Sequence, residues 1–532
     1  MNGEARVTPA ERWTPKANPW AIAVVVALAA FMEVLDTSIA NVALPYMAGS
    51  LGATTEQSTW VLTSYLVSNA IVLPITGWFV ALLGRKRFFI ICLTIFTLSS
   101  LLCGIAPNLG TMIVFRILQG AGGGGLQPMA QAILADTFPP ERRGVAFAVF
   151  GITVVVAPVL GPTLGGWITD NYDWRWIFLI NLPVGIVASL LILRLVEDPP
   201  WQERLSRGGI RIDYVGVALL VVGVGALQVL LDKGQELDWF GSQFIVTLAV
   251  LAVVGLVSLA VWEWRHDDPI VDVRLFRNLN FLAANAMMFM AGIIFFSGLV
   301  MMPQYLQLLL GYSSQTAGLV LSGGGILLVF MMPVVGMLTT RFQARYIVAT
   351  GWFLVSAAMF YSATHLDLDI SFSAASVMRV VQSAGLPLLF VPIILVSYIG
   401  LPPEKSNSVA GLVSFMRNIG SSIGTSMVTT VIARQSQFHQ VHLVAHTTPA
   451  EPPFSATLAG LSTRLAEVGA DSSRATMQAY GRLYRIVMNQ AAALAYNDMF
   501  WLLAYGAAVM VPLSLLLRRN DPRSGGASVA AH

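Results

Sequence analysis

Fourteen apolar runs, each close to the length of a bilayer crossing, divide this chain. They lie near 20–45, 58–83, 88–106, 109–135, 145–169, 175–195, 214–231, 243–264, 281–309, 317–339, 346–364, 373–399, 408–433 and 498–517. A run of ~20 apolar residues spans the hydrocarbon core as a helix, because no water is present there to satisfy stray backbone groups. Only 11% of the residues are charged, against about 25% in ordinary soluble domains. The expected fold class is an all-α polytopic membrane protein. The net charge of +3 is scattered among loops and forms no nucleic-acid surface.

Lys and Arg in short loops set the orientation of such a chain. With the N-terminus inside, 21 of the 31 basic residues fall on inside segments, including Arg85, Lys86, Arg87, Arg142 and Arg143. The short outside loops then hold two, Arg175 and Lys233. Both termini are therefore expected in the cytoplasm. The polar start of the chain and the long first run argue for an anchor rather than a cleaved signal. Cys92 and Cys103 share one run, about 16 Å apart along a helix, so they read as packing residues and not as a disulfide.

The first run carries Glu33 and Asp36 within FMEVLDTSIANVALP, Phe31 to Pro45. A charge at the bilayer centre costs roughly 2.5–3.5 kcal/mol on insertion scales, so an intramembrane acid marks a candidate functional site. Three residues apart, the two acids share one helix face, which Thr37 and Asn41 extend. So close a pair titrates as a coupled unit and can share one proton. A structural role, as partner of a buried Arg, is the plain alternative.

Three cations also lie inside the runs: Arg116, Arg379 and Arg417. Arg116 belongs to FRILQGAG and Arg379 to MRVVQSAG, 263 positions on. The same shift carries Pro139-Pro140-Glu141 onto Pro402-Pro403-Glu404, and Gly161 onto Gly424. The chain thus consists of two similar halves of six spans, with 214–231 and 243–264 as an extra pair between them. The expected division is a tail 1–19, a first half 20–196, a linker 197–280, a second half 281–518 with a long outer loop 435–497, and a tail 519–532. Carriers built from repeats bind cargo near the midplane between the halves.

Other motifs carry mechanical meaning. GWFVALLGRKR, Gly77 to Arg87, ends a span in a tight turn at Gly84; Arg85 and Lys86 can then meet helix carbonyls and lipid phosphates. Gln119 shares a face with Arg116, and the glycine run Gly120–Gly125 lets that helix approach a neighbour, bringing Arg116 toward the Glu33/Asp36 face, where the cation can tune the acid and compete with a proton for it, Asp36 being the expected proton site. In APVLGPTLGG, Ala157 to Gly166, Pro158 and Pro162 invite kinks, while Gly161 and Gly165 form a small-residue face beside Gly166. A kinked, close-packed helix suits a gate. The stretch Met287–Gln307 is rich in Met and Phe and ends in Gln304 and Gln307, which suits apolar cargo of varied shape. Asn41, Gln119, Phe296, Gln304, Arg379 and Arg417 are the candidate cargo contacts. In the outer loop, His439, His442 and His446 have helical spacing but no supporting acids or cysteines, so no metal site is expected. The segment Arg474–Tyr496 reads as helical, lying on the outer leaflet or meeting a partner.

These residues resemble the major facilitator superfamily, and within it the fourteen-span drug:proton antiporter branch. LDTSIANVALP (Leu35–Pro45), RILQGAGGG (Arg116–Gly124) and APVLGPTLGG match its first-, fourth- and fifth-span motifs, with Asp36 as the motif acid. WRWIFLINLPVG (Trp174–Gly185) and LDKGQELDWF (Leu231–Phe240) are similar to EmrB-type efflux pumps. The resemblance implies a major facilitator fold, export of hydrophobic toxic compounds, a proton gradient as energy source and no other cofactor. It also implies a bacterial inner-membrane location among lipids. An EmrA-like periplasmic adaptor and a TolC-like outer-membrane channel are the implied partners. The chain departs from the pattern at Ala81 and Leu82, where an Asp-Arg pair is usual, at Thr340, where the second half would have an acid, and at Ala157, where glycine is common. The first departure predicts that the usual charged latch near Gly77 is missing. Glu33 is an added acid.

No nucleophile elbow, phosphate loop, zinc spacing or dinucleotide fingerprint occurs in the right context, so an enzyme is not expected. Two other readings remain at the level of sequence: a carrier of one metabolite, siderophore or fatty acid, and a membrane sensor or scaffold.

Overall fold

The computed structural model describes residues 15–199, 213–448, 451–467 and 471–519. The outer parts of both tails, 1–14 and 520–532, and the linker stretch 200–212 lie outside the described residues. The first half comprises α1 (Pro19–Ser50), α2 (Thr55–Ser58), α3 (Trp60–Leu83), α4 (Arg85–Gly104), α5 (Leu109–Gly123), α6 (Leu126–Thr137), α7 (Pro140–Asn171), α8 (Trp176–Leu179) and α9 (Asn181–Leu195). Two further helices follow, α10 (Tyr214–Lys233) and α11 (Gln243–Arg265). The second half holds α12 (Leu279–Gln304), α13 (Ser314–Leu338), α14 (Ala344–His365), α15 (Phe372–Ala384), α16 (Pro387–Ser397), α17 (Ser406–Ala445), α18 (Pro452–Glu467) and α19 (Ser472–Ser514). All fourteen expected runs recur as helix. Among the described residues, twelve helical segments are long and apolar enough to cross a membrane. The other two crossings are α5–α6, broken at its glycines, and α17, diluted by polar residues.

Local chemistry explains the boundaries. Asn18 caps α1, its side chain accepting from the Trp20 N–H at 2.9 Å. Pro19 follows at the first helical position, where a missing N–H does no harm. At Gly84 the backbone adopts φ +84°, a value that favours glycine, and the chain turns directly from α3 into α4. The glycines of α5 act as a wedge. A Cβ at Gly122 would stand 2.6 Å from the Phe96 nitrogen, and one at Gly124 2.7 Å from the Asn69 oxygen. α5 therefore sits between α3 and α4 at a closeness that no larger residue allows.

The repeat survives in the packing. α1 lies along α7, as α12 lies along α17. Gly161 and Gly165 of α7 meet Ser38 and Ile39 of α1; Gly420 and Gly424 of α17 meet Phe289 and Ile293 of α12. The halves join along two seams, α7 with α13 and α3 with α17. α10 packs on α3 and on α17, and Gly223 meets Gly255 where α10 crosses α11. The Asp232 carboxylate accepts from Thr63 of α3, and Gln228 donates to Asn418 of α17 at 3.0 Å. The extra pair thus braces a seam between the halves as well as linking them in sequence.

The long outer segment 435–497 is not a loop. α17 continues unbroken to Ala445, and α19 begins at Ser472, so Arg474–Tyr496 is the stem of the last crossing rather than a helix lying on a leaflet. α18 packs back on α19 through Leu465, Ala475 and Ala479. Beyond Gly424, α17 contains no Gly or Pro to stop it. Among the described residues no group of His, Cys, Asp and Glu has metal-site geometry. His439 instead pairs with Asp498 at 2.6 Å, tying α17 to α19. Cys92 and Cys103 are free and buried.

Candidate functional site

The two acids of α1 face different surroundings. Asp36 points into the first half. Its carboxylate accepts from Arg116 Nη1 at 2.7 Å, Gln119 Nε2 at 2.9 Å and Asn181 Nδ2 at 2.6 Å. Arg116 also donates to the Val61 carbonyl at 3.0 Å and to Gln119 Oε1 at 2.7 Å, and its guanidinium stacks 4.3 Å over the Tyr65 ring. Ser100 joins Gln119 and Asn181 to the Phe178 carbonyl. The side chains of this ion pair are 0% and 1% exposed. Breaking one partner of such a pair costs about 3–5 kcal/mol, because the other is left as an uncompensated buried charge.

Glu33 lies one turn toward the end that carries the chain termini, here the terminal end, and has no cation on it. It accepts from the Tyr65 hydroxyl at 3.1 Å, Asn69 Nδ2 at 2.9 Å and Gln127 Nε2 at 2.5 Å. Gln127, just beyond the glycine wedge, accepts in turn from Arg417 Nη2 on α17. Glu33 is thereby joined to the second half through one amide. Tyr65 belongs to both shells, its ring beneath Arg116 and its hydroxyl on Glu33.

The terminal end is sealed. Arg85 forms an ion pair with Asp136 at 2.6 Å and donates across the seam to Asn407 at 3.2 Å and Ser406 at 3.3 Å. Gln131 donates to Ser414 at 3.1 Å, Gly144 packs on Gly336, and Gly77 and Gly411 bring α3 and α17 together. The expectation of a missing latch is therefore corrected. Ala81 and Leu82 contribute nothing, but Arg85 and Asp136 form the charged pair instead. Nor does Arg85 face lipid, although Lys86 does reach a helix-end carbonyl, Leu193 O, at 2.6 Å. Toward the opposite end, Thr37 and Asn41 on α1 and Phe296, Pro303 and Gln304 on α12 retain exposed surface. A Cβ on Gly166 would meet nothing within 4 Å.

α7, with Pro158 and Pro162 in its interior, has a specific device. Pro162 has no N–H, so the Pro158 carbonyl loses its helical donor. The Ser38 hydroxyl of α1 donates to that carbonyl at 3.0 Å. In the Met-rich stretch, Met287, Met288, Met301 and Met302 are buried in the core, and Phe295 stacks edge-on against Phe390. Those methionines fill the bundle rather than line open space. Gln119 is wholly enclosed in the Asp36 shell. Arg379 is buried and makes no contact with Arg417 or with either acid. The reading from sequence missed Tyr65, Asn69, Ser100, Gln127, Asp136, Asn181 and Asn407. Most are polar residues inside apolar runs, so the rule that singled out Glu33 applies to them as well.

The model of the Major Facilitator Superfamily matches residues 26–425. Over 510 residues the chain is 36% identical to the multidrug export protein EmrB of Escherichia coli K12, covering 96% of this chain and 97% of that protein. It is 37% identical over 503 residues to the fatty acid resistance protein FarB of Neisseria gonorrhoeae, covering 94% and 96%. Among solved structures, the proton:xylose symporter XylE superposes with a TM-score of 0.56 at 13% identity, covering 96% of this chain and 98% of that one.

Proposed function

The chain belongs to the Major Facilitator Superfamily as an EmrB-type, multi-pass transporter and not an enzyme, and from that premise we propose proton-coupled multidrug export by alternating access. The terminal end is the cytoplasmic face of a bacterial inner membrane, in keeping with its Lys and Arg. The arrangement described above is then closed to the cytoplasm and open outward.

The observation that carries this reading is Glu33. A carboxylate buried at the seam, held by neutral donors and joined through Gln127 to Arg417, can change its proton content and alter the contact between the halves. Asp36, clamped by Arg116, Gln119 and Asn181, holds α1 and α5 in register and keeps a fixed charge beside the proton site. Protons entering from outside reach Glu33, the seam loosens, and the Arg85 latch opens to admit hydrophobic cargo from the cytoplasm. Asn41, Phe296 and Gln304 lie along its path. The proton gradient is the energy source. The α17–α19 hairpin is the surface for a periplasmic adaptor, which would pass cargo to an outer-membrane channel.

Drug-driven proton release from proteoliposomes tests this. Glu33→Gln is expected to abolish release while drug binding persists. Coupled export unchanged in both Glu33→Gln and Asp36→Asn would overturn the assignment. A toxicity panel in a pump-deficient host tests cargo breadth: protection against a single compound would replace the multidrug reading with a narrow carrier.

A further inference from the structure

Each half carries the same arginine at the same place in the repeat, and only one of them has an acid. Arg116 has the Asp36 carboxylate on its Nη1 at 2.7 Å, and only its Nη2 is buried without a partner. Arg379, the equivalent on α15, is as deeply buried. Its Nη1 has the Gly298 carbonyl at 3.3 Å and Gln382 Oε1 at 3.4 Å, both long for a charge-assisted bond. Its Nε is buried without a partner. Nη2 has no partner among the described residues and, unlike Nε, is not sealed off.

The missing acid can be located. The repeat shift places Leu299 where Asp36 stands, and α12, α13, α15 and α16 contain no Asp or Glu. Glycine backbone, rather than larger side chains, lies against the Arg379 side chain at two positions. A Cβ on Gly298 would stand 3.4 Å from Nη1, and one on Gly324 3.2 Å from Arg379 Cγ. Apolar surface flanks the site, with partly buried Phe296 and Val300 on α12. A buried cation without a counter-charge is unfavourable, so this one is poised to accept a negative group from outside.

We propose that Arg379 is an anion subsite, whose guanidinium takes the carboxylate of an amphipathic cargo molecule as Arg116 takes Asp36. The cargo's apolar tail lies along the Phe296 face. The inference rests on the reading of the chain as a carrier, but binding and flux can be measured separately.

Three probes with equal tails separate the charge states: decanoate, decanol and decyltrimethylammonium. Their binding to the full chain in nanodiscs is measured by calorimetry, in gluconate and in chloride buffers. Arg379→Gln is expected to weaken decanoate by about tenfold to a hundredfold, the range for a hydrogen-bonded charge. The other two probes change by less than about twofold, within the error expected of a distant site. Gly298→Asp supplies an internal carboxylate beside Nη1; it should also lose decanoate and should melt no lower than wild type. That second variant keeps the test decisive if Arg379→Gln folds poorly. Decanoate affinity unchanged in both variants, or an equal fall for all three probes, would overturn the subsite. Displacement of decanoate by chloride in an Arg379-dependent manner would also overturn it, in favour of a small inorganic ion. Arg379-dependent decanoate binding without flux of any probe under any gradient would uphold the subsite and sink the carrier reading.

Discussion

Asp36 and Glu33 stand one turn apart on α1, yet their neighbourhoods differ in kind. Asp36 draws its partners from α5 and α9, both in the first half, and one of them is a cation. Glu33 draws on α3 and α6 and, through Gln127, on α17 of the second half. A paired, enclosed charge is a structural fixture. An acid held by neutral amides and a phenol, and linked through one of them to the other half, has no ion pair fixing its charge. The comparison teaches that burial alone does not distinguish the two acids. Which body supplies the partners does.

The largest effect should come from Asp36→Ala. It strands Arg116 and is expected to lower stability by about 3–5 kcal/mol, seen as reduced folded yield and an earlier thermal melt in detergent. An unchanged melt would break the contrast at its firmer end. Glu33→Gln should cost only about 1–3 kcal/mol, since one amide N–H then faces the Gln127 N–H without an acceptor. Its main effect is on function: export should lose its dependence on pH, and Gln127→Ala, which cuts the link from Glu33 to Arg417, should weaken that dependence. Gln127→Ala is expected to cost about 1 kcal/mol and to weaken disulfide cross-linking between cysteines placed on α6 and α17. Cross-linking equal to that of wild type would show that the amide does not join the halves.

The smallest effect tests the packing that holds α1 in place. Ser38→Ala leaves the Pro158 carbonyl without a donor and should cost about 1 kcal/mol. In a Pro162→Ala background that carbonyl regains a helical N–H, so the same change should be nearly neutral. A double-mutant cycle without this coupling would mean that α1 and α7 are held by their glycines alone.

Much of this was legible in the residues. Apolar runs of spanning length marked the helices, and the 263-residue shift marked the repeat. Arg116 was expected to reach Asp36 because a glycine run lets its helix move inward, and Gly122 and Gly124 do leave no room for a Cβ. The division of labour between the acids was not legible. Glu33 and Asp36 share a helix face by spacing, but which groups meet them depends on contacts more than ninety residues away, such as Gln127 and Asn181. Uncharged amides in a long apolar run attract little notice, although burial makes their hydrogen bonds count. The latch illustrates the same limit. The loss of an Asp-Arg pair at Ala81 and Leu82 predicted its absence, yet Arg85 found Asp136, a partner that only the fold could supply. The outer hairpin was misjudged because hydropathy falls along it, although helix continuity is set by the absence of breakers and not by polarity.

The two longest helices carry a mechanical consequence. α17 and α19 run for 40 and 43 residues, about 60 Å each at 1.5 Å per residue. The hydrocarbon they cross is ~30 Å thick. Roughly half of each rod therefore projects beyond the opposite face as a stiff lever, cross-tied at its base by His439 and Asp498. A tilt of about 10° at the fulcrum would sweep its far tip through roughly 5 Å, so a change too small to see at the midplane would be amplified at the far end of the hairpin.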